Sequence, residues 1–336
     1  MRRFAVLAGL WALCLAPAAA ATTTLKISTI VPAGTSFMQQ MRAAGEAVRE
    51  RTEGRVELKF FPGGVMGSDP AVLRKMRIGQ LHGAVITATG LNNIHPATQA
   101  YSMPFTFRNH EELQFVRQRL DPVIRERVRK RGYVVAGMAE GGFTYLFSKQ
   151  PLRRMEDLSD ARMWAPQGDD ITARLLEDAG AQVVSLPLSD VYTSLQTGVL
   201  DTVTVNPSGM IGLQWHTGVN YQTDVPLLML MAMMVIDERA LAPLDEADRT
   251  ALLNVMDETF RGLDEMNRQA DREAQEALRE AGIELVEPSR PPGERRWQAS
   301  AERSLDKLAS EGRFRDALYD RVKSLVSEYR SRTAAQ

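Results

Sequence analysis

Four histidines, His82, His95, His110 and His216, are the first candidates for metal binding or proton transfer, and their spacing supports neither. A zinc-binding helix needs two imidazoles on one face, as in H-E-x-x-H, and no pair here has that or another ligand spacing, so structural or surface roles are expected. No G-x-S-x-G turn presents a serine. The single cysteine, Cys14, lies in an N-terminal apolar run. GMAEGG (137 to 142) superficially suggests a phosphate loop, yet it lacks the third glycine of G-x-G-x-x-G and reads as a turn between strands. Asp169 and Asp170 are paired carboxylates, but they stand where a helix begins, and capping is their expected work. No catalytic residue, metal site or cofactor is expected. What stands out in RMWAPQGDD (162 to 170) is one large indole, Trp164, just before a Pro-Gln-Gly-Asp turn.

The elements around these residues set their positions. MRRFAVLAGLWALCLAPAAA (1 to 20) has two early arginines, an apolar run and an A-x-A end, which reads as a cleaved signal peptide, too short for a membrane span. Cleavage after Ala20 would leave about 316 residues and no cysteine, hence no disulfide; a chain of that size buries enough surface without staples. Without Arg2 and Arg3, 39 basic residues face 42 acidic ones, a net charge of −3, so neither a nucleic-acid stripe nor a polybasic membrane patch is indicated. Length predicts two domains.

TLKIST (24 to 29) alternates as a strand, and Phe37, Met41, Ala44 and Val48 recur at helical spacing up to Gly54. Val56, Leu58 and Phe60 form a second strand; Asp69-Pro70 starts a helix as cap and N1 proline, ended by Gly79; AVIT (84 to 87) is a third strand. Strand alternating with helix predicts a parallel sheet with crossover helices. After a helix near residues 110 to 131 the pattern restarts. YVVAGMA, FTYLFS, RMWAP and QVVSLP read as strands, ITARLLEDAG and LSDVYTSLQTG as helices, the last capped by Ser189. PLLMLMAMMVI (226 to 236) is half of what a bilayer needs and reads as a buried strand. Asp245 to Gly282 is one long amphipathic helix, longer than a small domain is wide, and is expected to brace two.

A secreted two-lobed α/β chain without catalytic apparatus fits a solute receptor closing on a ligand between its lobes. A periplasmic hydrolase using an unrecognised carboxylate, and a carrier or chaperone for lipid-like molecules, are the rival classes.

Three stretches carry a family resemblance. RTEGRVELKFFPGGVMGSDPAVLRKMRIGQL (51 to 81) resembles the T-x-G strand, F-P turn, L-G-x-D and helix of substrate-binding proteins from tripartite ATP-independent periplasmic (TRAP) transporters, the DctP-type family. SLPLSDVYTSLQTGVLDTVTVNP (185 to 207) and PLRRMEDLSDARMWAPQGDD resemble two further segments of that family. The resemblance implies the α/β periplasmic binding protein fold: two α/β domains with crossing strands and a long bracing helix, in a Gram-negative periplasm. It implies domain I at residues 22–141 plus 230–266 and domain II at 142–229 plus 267–336. The partners it implies are an organic acid and a membrane permease of one small and one large subunit, driven by an ion gradient, with no nucleic acid and room for an additional periplasmic partner protein.

The expected site departs from the family's pattern. A carboxylate-clamping arginine of the family falls on Trp164, with Arg162 two places earlier and about 6.6 Å farther from the turn. A second family arginine falls on Thr144. Positions commonly polar fall on Ile30 and Thr87, while Asn206 survives before Pro207, one residue farther from Asp201 than usual. Trp164 is therefore expected to line the cleft as an indole wall, with Phe37, Phe143, Tyr145, Leu188, Met210 and Trp215 as candidate neighbours. A buried carboxylate without its guanidinium loses several kcal/mol. A six-carbon apolar segment, at about 0.8 kcal/mol per buried methylene, restores about 5 kcal/mol. The expected solute is elongated and largely apolar; a conventional short organic acid held by Asn206, Thr144 and backbone amides is the alternative.

Overall fold

The computed structural model describes residues 22–289, 293–311 and 318–334. The expected signal peptide at residues 1–20 lies outside them. β1 (Thr23–Thr29), α1 (Ser36–Arg51), β2 (Val56–Phe61), α2 (Asp69–Arg77) and β3 (Gly83–Thr87) alternate as expected, with β1 parallel to both β2 and β3. α1 buries Met38, Met41, Ala44 and Val48 along one stripe, and the Thr35 hydroxyl caps it by accepting from the Met38 N–H at 3.3 Å. α2 starts one residue earlier than its expected cap allows. Ser68 takes the N-cap position, and Asp69 is the first helical residue, so its carboxylate is not engaged as a cap.

α3 (His110–Arg129) leads to β4 (Tyr133–Ser148), where the structure departs most from the sequence reading. No turn separates YVVAGMA from FTYLFS: the sixteen residues form one strand. The glycines are there for bulges, which shift the register between Val135 and Gly137 and again between Glu140 and Gly142. A Cβ on Gly137 would lie 2.3 Å from the Phe260 ring, and Gly142 has φ +97°.

The second half follows as β5 (Arg162–Pro166), α4 (Asp170–Asp178), β6 (Gln182–Leu186), α5 (Leu188–Thr197), β7 (Thr202–Val205), α6 (Pro207–Gly212), β8 (Tyr221–Thr223), β9 (Leu228–Asp237), α7 (Glu238–Leu241), α8 (Glu246–Glu280), β10 (Glu284–Val286), α9 (Gly293–Ser310) and α10 (Leu318–Ala334). Pro187, not Ser189, occupies the N-cap of α5. Asp169 does cap α4, accepting from the Thr172 N–H at 3.0 Å.

The main path of the ten-stranded sheet runs β2-β1-β3-β9-β4-β7-β5-β6. It is mixed, because β9 returns antiparallel between β3 and β4. The first part of β4 pairs with β9, and its last residues pair with β7 and β8. β4 and β9 are thus the strands that cross between two α/β lobes, each with its own apolar core. α8, at 35 residues about 50 Å long, packs on α1, β4 and α6 and so touches both. Of the C-terminal helices, α9 packs on α4, but α10 packs on α3 in the first lobe, so residues 318–334 do not join the second lobe with which the expected boundaries placed them.

Candidate functional site

Gly168, just after β5 in the second lobe, lies against Pro70, which follows β2 in the first, so the carboxyl ends of the parallel strands of the two lobes are turned toward each other, which is where open α/β sheets bind ligands. A shallow depression of about 430 Å³, lined by Arg131, Tyr133 and Arg239 among others, lies at the start of β4 and the end of β9, the opposite end, and is not the candidate site.

Ile30 follows β1 directly and is half-buried; Thr87 ends β3, its hydroxyl 3.1 Å from the Thr89 hydroxyl and accepting from the Gly90 N–H at 3.3 Å. Phe37 turns toward α8 instead, edge-on to Phe260 at 6.2 Å. Phe143 packs in the first-lobe core with His110 at 5.2 Å. The Thr144 hydroxyl donates to the Leu228 carbonyl at 3.3 Å across the crossing strands. Tyr145 packs against the cores of both lobes, and burial, reinforced by Asp224 and Asp271, pushes its phenol up to about 12.

The structure brings Trp164, Leu188, Met210 and Trp215 into one cluster in the second lobe. Trp164 and Trp215 pack edge to face at 5.3 Å, and the indole N–H of Trp164 donates to the Leu186 carbonyl at 3.0 Å. Met210 is 0% exposed and Trp215 1%, so they have no surface to offer a solute and act as the backing of Trp164, whose rim is 8% exposed. Arg162 does not turn its guanidinium toward this cluster. Its side chain is on the solvent face, donating to Asp201 at 2.9 Å.

Asn206 sits at the hinge. Its amide NH2 donates to the Gly141 carbonyl at 2.8 Å, the Ser208 hydroxyl at 2.7 Å and the Asp271 carboxylate at 3.0 Å, so its donors are already engaged. Asp271 projects from α8 so close that a Cβ on Gly142 would meet its Oδ2 at 1.7 Å; burial raises its carboxyl above the usual range. One turn earlier, α8 grips the first-lobe side of the same bulge. Arg268 reaches the buried Glu140 carboxylate at 2.8 and 3.1 Å, Asn267 donates to the Glu140 carbonyl at 2.6 Å, and His110 and Gln114 complete the shell. Burial pushes Glu140 upward, but His110 and Arg268 prevail and hold it at about 2.

The sequence reading missed Asp69. Relieved of capping, its carboxyl lies against Gly90, which has no side chain to obstruct it, and no hydrogen bond or ion pair among the described residues reaches it. Burial first, and then Asp169 from the opposite lobe, raise it to about 6. The lobes touch here: a Cβ on Gly168 would lie 2.9 Å from Pro70. The signal was present in G-S-D-P, where Ser68 could cap and leave Asp69 over. On the first-lobe side, Asn92 Oδ1 and Gln99 Oε1 are also buried without a partner among the described residues.

Two α/β lobes joined by crossing strands, with their strand ends facing each other, define a two-lobed solute-binding protein. Residues 27–311 match the family of bacterial extracellular solute-binding proteins, family 7 (DctP), and the chain belongs to that family, whose members are receptors and not enzymes. Among curated relatives, it is 24% identical to the uncharacterized protein YiiZ of Salmonella typhimurium, over 58% of this chain and 62% of that protein. It is 22% identical to the C4-dicarboxylate-binding periplasmic protein DctP of Rhodobacter capsulatus, over 84% of this chain and 86% of that one. Two solved structures share the fold. A TRAP periplasmic solute-binding protein of Xanthobacter autotrophicus with bound β-D-galacturonate superposes with a TM-score of 0.82 at 18% identity, covering 90% of this chain and 99% of that one. DctP7 of Bordetella pertussis, which binds pyroglutamic acid, gives a TM-score of 0.82 at 20% identity, covering 91% and 100%. Among the described residues no helix is long and apolar enough to cross a membrane.

Proposed function

We propose that the chain is the extracytoplasmic receptor of a TRAP transporter, capturing an organic acid between its lobes in the Gram-negative periplasm and delivering it to a small and a large permease subunit. We infer further that the solute has a largely apolar body. What supports this is the indole of Trp164 in β5, at the position where the resemblance puts the family's arginine, with Arg162 tied to Asp201 on the solvent face. An anion between the lobes would also face the carboxylates of Asp69 and Asp169. Apolar contact then has to carry affinity that a bidentate ion pair would otherwise supply.

A short, polar acid is the second reading. It is favoured by the solutes of the structural relatives, galacturonate and pyroglutamic acid. Against it, the donors of Asn206 and Thr144 are already used within the protein.

Native mass spectrometry of the purified receptor, followed by solvent extraction of what it carries, tests the class of solute. A fatty-acid-like or aromatic monocarboxylate is expected; stoichiometric, tight binding of succinate or a uronic acid would reject the apolar reading and keep the receptor. Trp164→Arg is expected to weaken binding of the co-purified solute, and unchanged affinity would remove Trp164 from the site.

A further inference from the structure

Besides β4, β9 and α8, the lobes have another connection. α9 packs on α4 and on the turn at residues 155–160, both in the second lobe. Its Leu305 and Leu308 share one buried cluster with Ile171, at the start of α4, and with Met103, from the first-lobe segment ahead of α3. Tyr319, at the start of α10, packs on that cluster, and Lys323 of α10 reaches Glu302 of α9 at 3.5 Å. α10 then lies along α3 and buries Leu318, Val322, Leu325 and Val326 in the first-lobe core. Its far end is fixed where Arg330 forks onto Glu112 at 2.7 and 2.8 Å and donates to the Thr106 carbonyl at 3.1 Å; Glu112 is 3% exposed. The family match stops at residue 311, ahead of this helix.

We propose that α9 and α10 form a strap across the seam between the lobes, which sets how far the cleft opens. Swinging the lobes apart must pull Met103 away from Ile171, Leu305 and Leu308 and put their apolar surface in water. Alternatively α9 stays with one lobe and its packing on the other is lost. Either way the strap opposes opening beside the crossing strands, where the Phe105 N–H, two residues from Met103, donates to the Leu227 carbonyl at 2.6 Å just ahead of β9.

The test needs no solute, so failure of the strap and failure of the proposed solute class are read separately. Nitroxides are placed on the exposed positions Val65→Cys in the first lobe and Tyr192→Cys in the second, in a Cys14→Ser background, and the inter-label distance is measured by pulsed dipolar spectroscopy. The parent is expected to give one narrow distribution. Leu305→Ala with Leu308→Ala is expected to broaden it and add a longer-distance population. An unchanged distribution in a protein that merely melts earlier would overturn the proposal, leaving the helices as ordinary stabilising packing. If that variant fails to fold, Arg330→Gln, which frees the end of α10 alone, is expected to shift the distribution in the same direction, and no shift there overturns the proposal equally.

Discussion

Glu140 and Asp69 are both carboxylates withdrawn from water, one at the hinge and one in the seam, and their surroundings treat them in opposite ways. Glu140 meets Arg268, His110 and Gln114, with Arg117 at 3.5 Å, and titrates at about 2. Asp69 forms no ion pair among the described residues, and burial first, then Asp169 across the seam, raise it to about 6. The hinge therefore gains from ionisation what the seam loses by it. A receptor that must bend at one place and part at another has its strongest polar network at the bend and an unresolved repulsion at the parting line.

Breaking the hinge side should have the largest effect. Glu140→Gln leaves Arg268 and Arg117 without their buried partner and is expected to cost about 3–5 kcal/mol in urea unfolding at pH 7. Because the folded-state carboxyl of Glu140 is depressed, that contribution is full above its ordinary pKa of 4.5 and is lost as pH falls toward about 2. A loss below about 1 kcal/mol would show that the network contributes little and would dissolve the contrast.

The seam should respond with the opposite sign. Asp69→Asn is expected to stabilise the solute-free protein at pH 7, by at most about 3 kcal/mol from a carboxyl raised from 3.8 to about 6. The folded state holds the Asp69 proton more tightly than the unfolded chain, so this group's penalty is absent below about pH 4, grows between pH 4 and 6 and is full above. Unfolding curves of parent and variant measured from pH 3.5 to 7.5 should converge at the acid end; parallel curves would mean that Asp69 is not the group responsible. The smallest effect is expected at Arg162→Ala. Its pair with Asp201 is solvated, with the arginine side chain 47% exposed, and the same titration should give less than about 1 kcal/mol.

The alternation of strand and helix was legible because each element carries its own period: the α1 stripe, the β5 strand and the long α8 were all readable from local pattern. What periodicity could not reveal was how β4 continues through GMAEGG. A glycine that makes a turn and a glycine that makes a bulge look alike until the partner strand β9, distant in sequence, is in place. The candidate site was legible in part. Trp164 stood out by type and position, and it packs in one cluster with Met210 and Trp215, but the burial of those two depends on how α6 packs. Asp69 was hidden by a one-residue shift in a helix start, since carboxylates that cap and carboxylates that do not share the same local sequence.

β3 obtains its outer partner only when β9 arrives, Gly83 lying opposite Ile236. A chain made from its N-terminus would therefore hold β1, β2 and β3 with an unpaired, apolar edge until most of its length has emerged, and neither lobe can be completed as an independent unit. Such long-range pairing slows folding. Until the last crossing strand closes, that open edge can also pair with the same edge of another copy, so slow closure lengthens the time in which the chain has to be kept from its own kind.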